Sequence, residues 1–390
     1  MGAPEVRAHP PDESARPDTG EAGSGCLRYL AESVYRMDTI SRRTAARAPT
    51  ITDVARLAGV SIATASRTLN GTGRVTPRLT AQVMLAAREL GYEPNPHARA
   101  LAQATDASVG VVVHDVTDPY FSEIVRGMLQ AMAADERMVL ICNTYRDPAR
   151  ELAYVAHFRA RRAQALVLAG SGLEDRGFGG RMAEQILGFE AAGGRATLIG
   201  RHYAPGDAVL PDNVGGAREL AAALVGLGHR RIGVVSGPPL LTTTHDRLTG
   251  FRLGLEAAGL SLPAERVVEG DFTRDGGERA LHDLLARAPG ITAVFALNDV
   301  MAIGVLSGLR QRGLRVPEDI SVAGFDDIPV VRDLVPALST VRVPMAEMGA
   351  RALTLAMEPR GSGLRIEHLP TSLVLRGSTA AAPSPGGERT

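Results

Sequence analysis

From Val109 onward the chain alternates short apolar runs with helix-length amphipathic stretches, and it does so twice. The first set reads VGVVV (109–113), MVLICN (138–143), ALVLAG (165–170) and ATLIG (196–200). After AVLPDN (208–213) the alternation restarts with RIGVVSG (231–237), VVEGDF (267–272), AVFALN (293–298) and ISVAGFDD (320–327). Strands separated by helical lengths argue for parallel sheets with helices on both faces. Such sheets gather ligands outside the carboxyl ends of their strands. Two sets therefore predict two similar lobes facing each other across a cleft. A hydrophobic content of 45% over 390 residues supplies ample core for this. Neither set follows its first strand with a Walker A sequence or a dinucleotide glycine fingerprint, so phosphate-cradle chemistry lacks its usual signal.

Residues before Thr105 follow another pattern. TITDVARLAGVSIATASRTLNG (50–71) joins two short apolar-patterned stretches through a single glycine. Read helically, Val54, Ala55 and Ala58 form the inner face of a first helix starting near Ile51, Gly59 makes the turn and Val60 plugs the corner. Ser61 caps a second helix, Ile62 to Leu69, by accepting from an N–H of its first turn. Pro77 opens a third helix, with Val83, Leu85, Ala86 and Leu90 available for packing, and Gly91 ends it. The second helix carries Ser, Thr and Arg where a core helix would carry Leu, as a helix entering a major groove should. Whole-chain net charge is zero and says nothing about nucleic acid. From Pro49 to Thr105, however, Arg56, Arg67, Arg74, Arg78, Arg88 and Arg99 outnumber Asp53, Glu89 and Glu93, a local basic excess.

This segment resembles the helix-turn-helix headpiece of the lactose-repressor (LacI) family of transcription regulators. The family pattern T-x-x-D-V-A-x-x-A-G-V-S-x-x-T-V-S-R-x-L-N is present with Ala65 in place of the usual Val, and G-Y-x-P-N-x-x-A-R-x-L stands as GYEPNPHARAL (91–101). The likeness runs through both lobes to about residue 377. It implies an α/β protein with an N-terminal all-α headpiece and a two-lobed, doubly wound, periplasmic-binding-protein-like effector core. It also implies base-reading positions at Ile62 and Ala63, whose short apolar side chains suit thymine methyls and make no bidentate hydrogen bonds. Arg67 is the better candidate for guanine, with a phosphate link as the alternative. Thr64 and Ser66 are expected at phosphate, and Asn70 reads equally as a DNA contact or a helix cap. NPHARALAQ (95–103) is too short for a stable free helix. By resemblance it is a hinge helix formed on DNA beside its symmetry mate, with Asn95 capping it, Ala98 allowing close approach and Leu101 wedging into the minor groove.

In the core, HDVTDPYFSEIVRG (114–127) is similar to the family's D-x-x-N-P-F-F-x-x-I-x-x-G and puts Asp115, Asp118, Tyr120 and Phe121 at a strand's carboxyl end. Carboxylate acceptors beside aromatic rings suit a polyol, although Asp118 reads equally as a cap for the next helix. The resemblance further implies effector contacts from Arg247, Asn298 and Asp299, with Asp326 in GFDDIP (324–329) at the cleft mouth. LSTVRVPMAEMGARAL (338–353) reads as a lobe crossover leading into a dimer-surface helix. Asn143, Arg201 and Asp212 are weaker candidates, with surface or capping roles as alternatives.

No nucleophile–base pair, close carboxylate pair or metal-ligand cluster stands out, so neither an enzyme nor a metal or organic cofactor is expected. The nine histidines are scattered, with His229 in LGHRRI placed at a helix end. Cys26 and Cys142 form no disulfide framework or metal spacing. No run approaches the roughly 20 apolar residues of a membrane span, and the N-terminus lacks the apolar run of a secretory signal. A cytoplasmic setting follows. The expected organisation is a disordered extension (1–48, with Met37 as an alternative start), a headpiece (49–94), a hinge (95–105), a two-lobed core (106–378) and a disordered tail (379–390). The expected function is regulation of transcription, as a repressor, by a homodimer on a pseudo-palindromic double-stranded operator. Its effector is a sugar in the cleft, and no membrane is involved. A purine or nucleoside corepressor is the alternative, and a transporter's solute-binding protein the more distant one.

Overall fold

A computed structural model describes residues 49–70, 75–92, 106–134, 137–359 and 363–383. The chain divides into two compact units, one ending at Arg99 and one beginning at Ala100.

The first unit holds three helices, α1 (Ile51–Leu57), α2 (Ile62–Leu69) and α3 (Pro77–Leu90). Thr50 opens α1, its N–H and hydroxyl both donating to Asp53 Oδ2 at 2.9 and 2.6 Å. Gly59 (φ +64°) and Gly91 (φ +62°) take the left-handed conformations that end α1's turn and α3. Ser61 Oγ accepts from Thr64 N at 3.1 Å and caps α2. Val54, Ala55, Ala65, Val83, Ala86 and Ala87 form the core. Leu85, expected inside, is 59% exposed. Two residues along a helix turn the side chain by roughly 200°, so Leu85 faces away from the stripe set by Val83, Ala86 and Ala87.

The second unit holds both lobes. The first lobe is a six-stranded sheet of β1 (Asp106–Val113), β2 (Val139–Asn143), β3 (Ala163–Ala169), β4 (Arg195–Ile199), β5 (Asp207–Pro211) and, from far downstream, β11 (Ile366–Leu369). Its order is β11-β5-β4-β3-β1-β2, parallel throughout. Helices α4 (Pro119–Ala131), α5 (Pro148–Ala160) and α6 (Arg176–Ala191) connect its strands. The second lobe begins with α7 (Asn213–Gly226) and carries β6 (Ile232–Ser236), β7 (Val267–Glu269), β8 (Ala293–Ala296) and β9 (Ser321–Ala323) in the order β7-β6-β8-β9. Helices α8 (Thr242–Glu256), α9 (Arg274–Arg287) and α10 (Asp299–Gln311) complete it. β6 and β8 are buried along their whole length, as parallel strands covered on both faces should be.

The chain passes between lobes after β5, after β9 and again after β11. Two of these passages pair as an antiparallel ribbon, β10 (Thr340–Arg342) with β12 (Ser372–Val374). Asp327, its side chain wholly buried, ties them by accepting from Arg342 Nε at 2.8 Å and Arg376 at 2.6 Å. The short strands β10, β11 and β12 do not stand out in the sequence, because β11 and β12 are half exposed and β10 is three residues long.

After β10 the chain forms α11 (Met345–Met357), which packs against α4. Met345, Met348, Gly349, Ala352, Leu353, Leu355 and Ala356 of α11 are buried in its own chain, while Glu347 and Arg351 are exposed. The two helices approach at backbone distance. A Cβ on Gly127 would stand 1.9 Å from Ala346 O, and one on Gly349 would stand 2.0 Å from Ile124 O. Gly127→Ala is therefore expected to separate the helices and destabilise the core by about 1–3 kcal/mol. A thermal melting midpoint equal to that of the parent would refute the close-contact account.

The segment 379–383, expected in a disordered tail, is bonded to the second lobe. Ala380 O accepts from the buried His229 Nε2 at 3.0 Å, and Ala382 N donates to Leu227 O at 2.8 Å. The apolar run TAAAP conceals this because its anchors are backbone groups. Among the described residues no helix is long and apolar enough to cross a membrane, and no group of three or more His, Cys, Asp or Glu side chains is placed to hold a metal ion.

Candidate functional site

Two surfaces hold the residues expected to act. On the headpiece, Ala65 is fully buried and anchors α2, which leaves Ile62, Ala63 and Arg67 exposed and Thr64, Ser66 and Asn70 half-buried. Ile62, at 51% exposure, is an apolar side chain with no cover from its own unit. Thr64 and Asn70 are partly engaged: Thr64 Oγ1 lies 2.9 Å from Ser61 Oγ, and Asn70, the C-cap residue, donates to Ser66 Oγ at 3.2 Å. Arg67 Nε donates to Ala63 O at 3.2 Å, which lays the guanidinium along the outer face of the helix. That face offers methyl contacts at its start and a fork of donors one turn on, a combination able to read base edges. Asn95, Ala98 and Leu101 lie outside the described residues.

The second surface is a cavity between the lobes. Its place follows from topology. In each sheet the strand order reverses beside the first strand, between β1 and β3 and between β6 and β8, and crevices open at such points. Residues just beyond strand ends supply much of the wall: His114 after β1, Gly170 and Ser171 after β3, Gly200 after β4 and Asn298 after β8.

Arg247, on α8, is 2% exposed and fixed by four contacts. It donates to Asn213 Oδ1 at 2.9 Å, to Leu297 O, and to Asp326 Oδ1 at 2.7 Å, while its guanidinium carbon lies 3.9 Å from the centroid of the Phe325 ring. Asp326 adopts φ +123°, a conformation that disfavours any side chain, and such strain persists only where surroundings enforce it. Burial raises the Asp326 carboxyl to about 8, opposed by the neighbouring Arg247. Asp118, Tyr120, Phe121 and Asn298 also line the cavity. Asp118 does so while capping α4 through Tyr120 N at 3.0 Å, and burial raises its carboxyl. Asn298 likewise caps α10 through Met301 N at 2.9 Å.

Two expected contacts stand off the cavity wall. Asp299 is fully buried behind the wall, its oxygens accepting from Thr340 Oγ1 at 2.6 Å and Ile328 N at 2.9 Å. It stands next to a lining residue on a helix, so one step of rotation turns it inward and it braces the β9 loop. Asp115 does not line the cavity: its Oδ1 closes a turn with Thr117 N and Oγ1 at 2.9 and 2.7 Å. The weaker candidates take other positions. Asn143 accepts from Val116 N, and Asp212 caps α7 through Gly215 N. Arg201 pairs with Glu174 and, across the lobes, with Asp246 at 2.8 Å.

Among the lining residues that escaped the sequence reading, Phe272, Arg146 and His114 carry ring or guanidinium groups. Phe272 projects from the second lobe in a left-handed conformation (φ +63°) that a bulky residue rarely adopts. Arg146 follows Tyr145 in a consecutive left-handed pair (φ +60° and +54°). His114 is 6% exposed and rests 5.6 Å, centroid to centroid, from Phe121. The strand-end rule was available for His114, since it follows VGVVV directly, whereas nothing in the local pattern marks the backbone turns at Arg146 and Phe272.

Burial, helped by Arg146 and His202, lowers the His114 imidazole from 6.5 to about 3, so it is neutral at pH 7. A depressed folded-state value contributes stability above pH 6.5 that is lost as pH falls towards 3. At pH 5 the loss is about 2 kcal/mol. His114→Gln should therefore show a shallower fall in urea midpoint between pH 7 and pH 5 than the parent, and parallel falls would contradict the burial account.

Comparison with known proteins bears on both surfaces. Residues 50–95 match the family described as bacterial regulatory proteins, lacI family, and residues 221–379 match the periplasmic binding protein-like domain. The chain is 38% identical to the HTH-type transcriptional regulator GalS of Salmonella typhimurium strain LT2, over 85% of this chain and 96% of that protein. Among solved structures it is similar to a complex of the transcriptional regulator CelR with cellobiose (31% identity, TM-score 0.63, covering 85% of this chain and 99% of that one). It is also similar to the lac repressor dimer bound to operator and the anti-inducer ONPF (27% identity, TM-score 0.71, 86% and 100% covered).

Proposed function

The chain belongs to the LacI family of bacterial regulatory proteins, and from that premise we propose that it is a transcriptional repressor controlled by a sugar in the cleft between its lobes. It acts in the cytoplasm as a homodimer on a pseudo-palindromic operator, since two-fold protein symmetry requires matching half-sites. Ile62, Ala63 and Arg67 read bases, and Thr64, Ser66 and Asn70 support them at the backbone. Asn95, Ala98 and Leu101 form the hinge contact. Asp118, Tyr120, Phe121, Arg247, Asn298 and Asp326 bind the effector. The chain is read as a regulator and not as an enzyme.

The observation that carries this reading is one chain holding both α2's outward face and a cavity whose Arg247 is already fixed in place. An effector binding the two lobe arrangements unequally would shift operator affinity by that difference, commonly ~1–3 kcal/mol. Phe121 and Phe272 line the cavity from opposite lobes, and two rings that far apart in sequence also suit a nucleobase, which keeps a nucleoside corepressor as the second reading.

The test is selection of bound duplexes from a random DNA pool by the purified protein, at stated salt, with and without metabolite mixtures. A symmetric enriched site with a central CG step is expected. Enrichment only with nucleosides would favour the second reading. No enrichment under any condition would overturn both and return a solute-binding role to contention.

A further inference from the structure

Arg146 and Arg247 are the two arginines lining the cavity, and they differ in what they touch. Each nitrogen of Arg247 already donates one hydrogen bond, to Asn213, Leu297 and Asp326 respectively. Arg146 has no carboxylate in contact, and its Nε is buried with no hydrogen-bond partner. Its guanidinium carbon lies 5.7 Å from the centroid of Phe272 on the facing lobe, an aromatic face that offers attraction but no acceptor. A buried donor without an acceptor is a cost that a ligand oxygen would remove.

The surroundings extend the same demand. His114 lines the cavity beside Arg146, 94% removed from solvent by its 6% exposure, with no hydrogen bond to its ring. The two lining carboxylates are already engaged, Asp326 by Arg247 and Asp118 as the α4 cap. Helices α4, α7, α8 and α10 all begin at the cavity wall, at Asp118, Asn213, Leu241 and Asn298 respectively. Helix N-termini carry partial positive charge and favour anions.

We propose that Arg146 is a specificity-determining residue of this cleft, and that the sugar it selects carries an oxyanion, as a carboxylate or a phosphate, which docks against Arg146 and His114. This rests on the cleft being the effector site and adds the chemical class of its occupant. Arg146 exchanges its contact with Phe272 for the oxyanion, while Arg247 holds the remainder of the sugar.

The test is titration calorimetry of the full chain against three pairs: glucose with glucose 6-phosphate, ribose with ribose 5-phosphate, and galactose with galacturonate. At least one acidic member should bind about tenfold or more tightly than its neutral partner. The first two pairs set against the third tell phosphate from carboxylate. In Arg146→Gln the preference should shrink to about threefold or less, with the melting midpoint little changed, and Arg146→Lys should restore part of it. Equal or tighter binding of the neutral members, or a preference that survives Arg146→Gln, overturns the inference and leaves the cleft as a sugar site. Binding of none of the six overturns the sugar effector together with it.

Discussion

Arg247→Met should abolish the effect of the effector on DNA binding and destabilise the core by about 3–5 kcal/mol. The substitution keeps an unbranched side chain of similar length, so the loss is that of the guanidinium and not of bulk. It removes the partner of a fully buried carboxylate, Asp326, and orphans Asn213 Oδ1 and Leu297 O as well. Stability and response separate in a second variant. Adding Asp326→Asn replaces the unpartnered buried acid with an amide that cannot ionise, so the double variant should regain part of the stability in urea unfolding while remaining unresponsive in an operator titration. If the single variant still responds to effector, Arg247 is a core brace and not a ligand contact.

Arg67→Ala tests the other surface. Its guanidinium lies along the outward face of α2, bonded to Ala63 O through Nε alone. A bidentate contact to guanine is worth about 1–3 kcal/mol of discrimination. The variant should therefore lose roughly tenfold to over a hundredfold in affinity for the selected operator, with relaxed preference at one base pair of each half-site. A phosphate contact predicts something different: equal weakening on operator and unrelated DNA, and a salt dependence shallower by about one unit of slope. Because Arg67 touches no core residue, the headpiece should melt as before.

The sequence carried most of this architecture because its signals are local. The cap at Ser61, the helix start at Pro77, the glycine turns at Gly59 and Gly91, and the apolar strand runs each follow from a few neighbouring residues. What escaped was set by distant contacts. Leu85 has the right chemistry for a core and the wrong angle. Asp299 sits one residue from the cavity and turns its carboxylate to Thr340, which is 41 positions downstream. Arg146 and Phe272 reach the cavity only because their backbones adopt left-handed conformations, which no local composition announces. The contact between α4 and α11 rests on two glycines, Gly127 and Gly349, that look like ordinary helix residues until the helices are brought together.

The placement of β11 has a consequence for how the protein is made. The first lobe's sheet starts at Asp106, but its outermost strand against β5 is residues 366–369. At usual rates of synthesis, roughly 5–20 residues per second, some 8–30 s separate the emergence of β5 from that of β11. Throughout that interval β5 is an unprotected edge and α4 lacks α11, while the headpiece, complete by Tyr92, is already able to fold. A ribosome stalled late in the message would therefore hold a chain with a finished headpiece and an unfinished core, its β5 edge and α4 still uncovered.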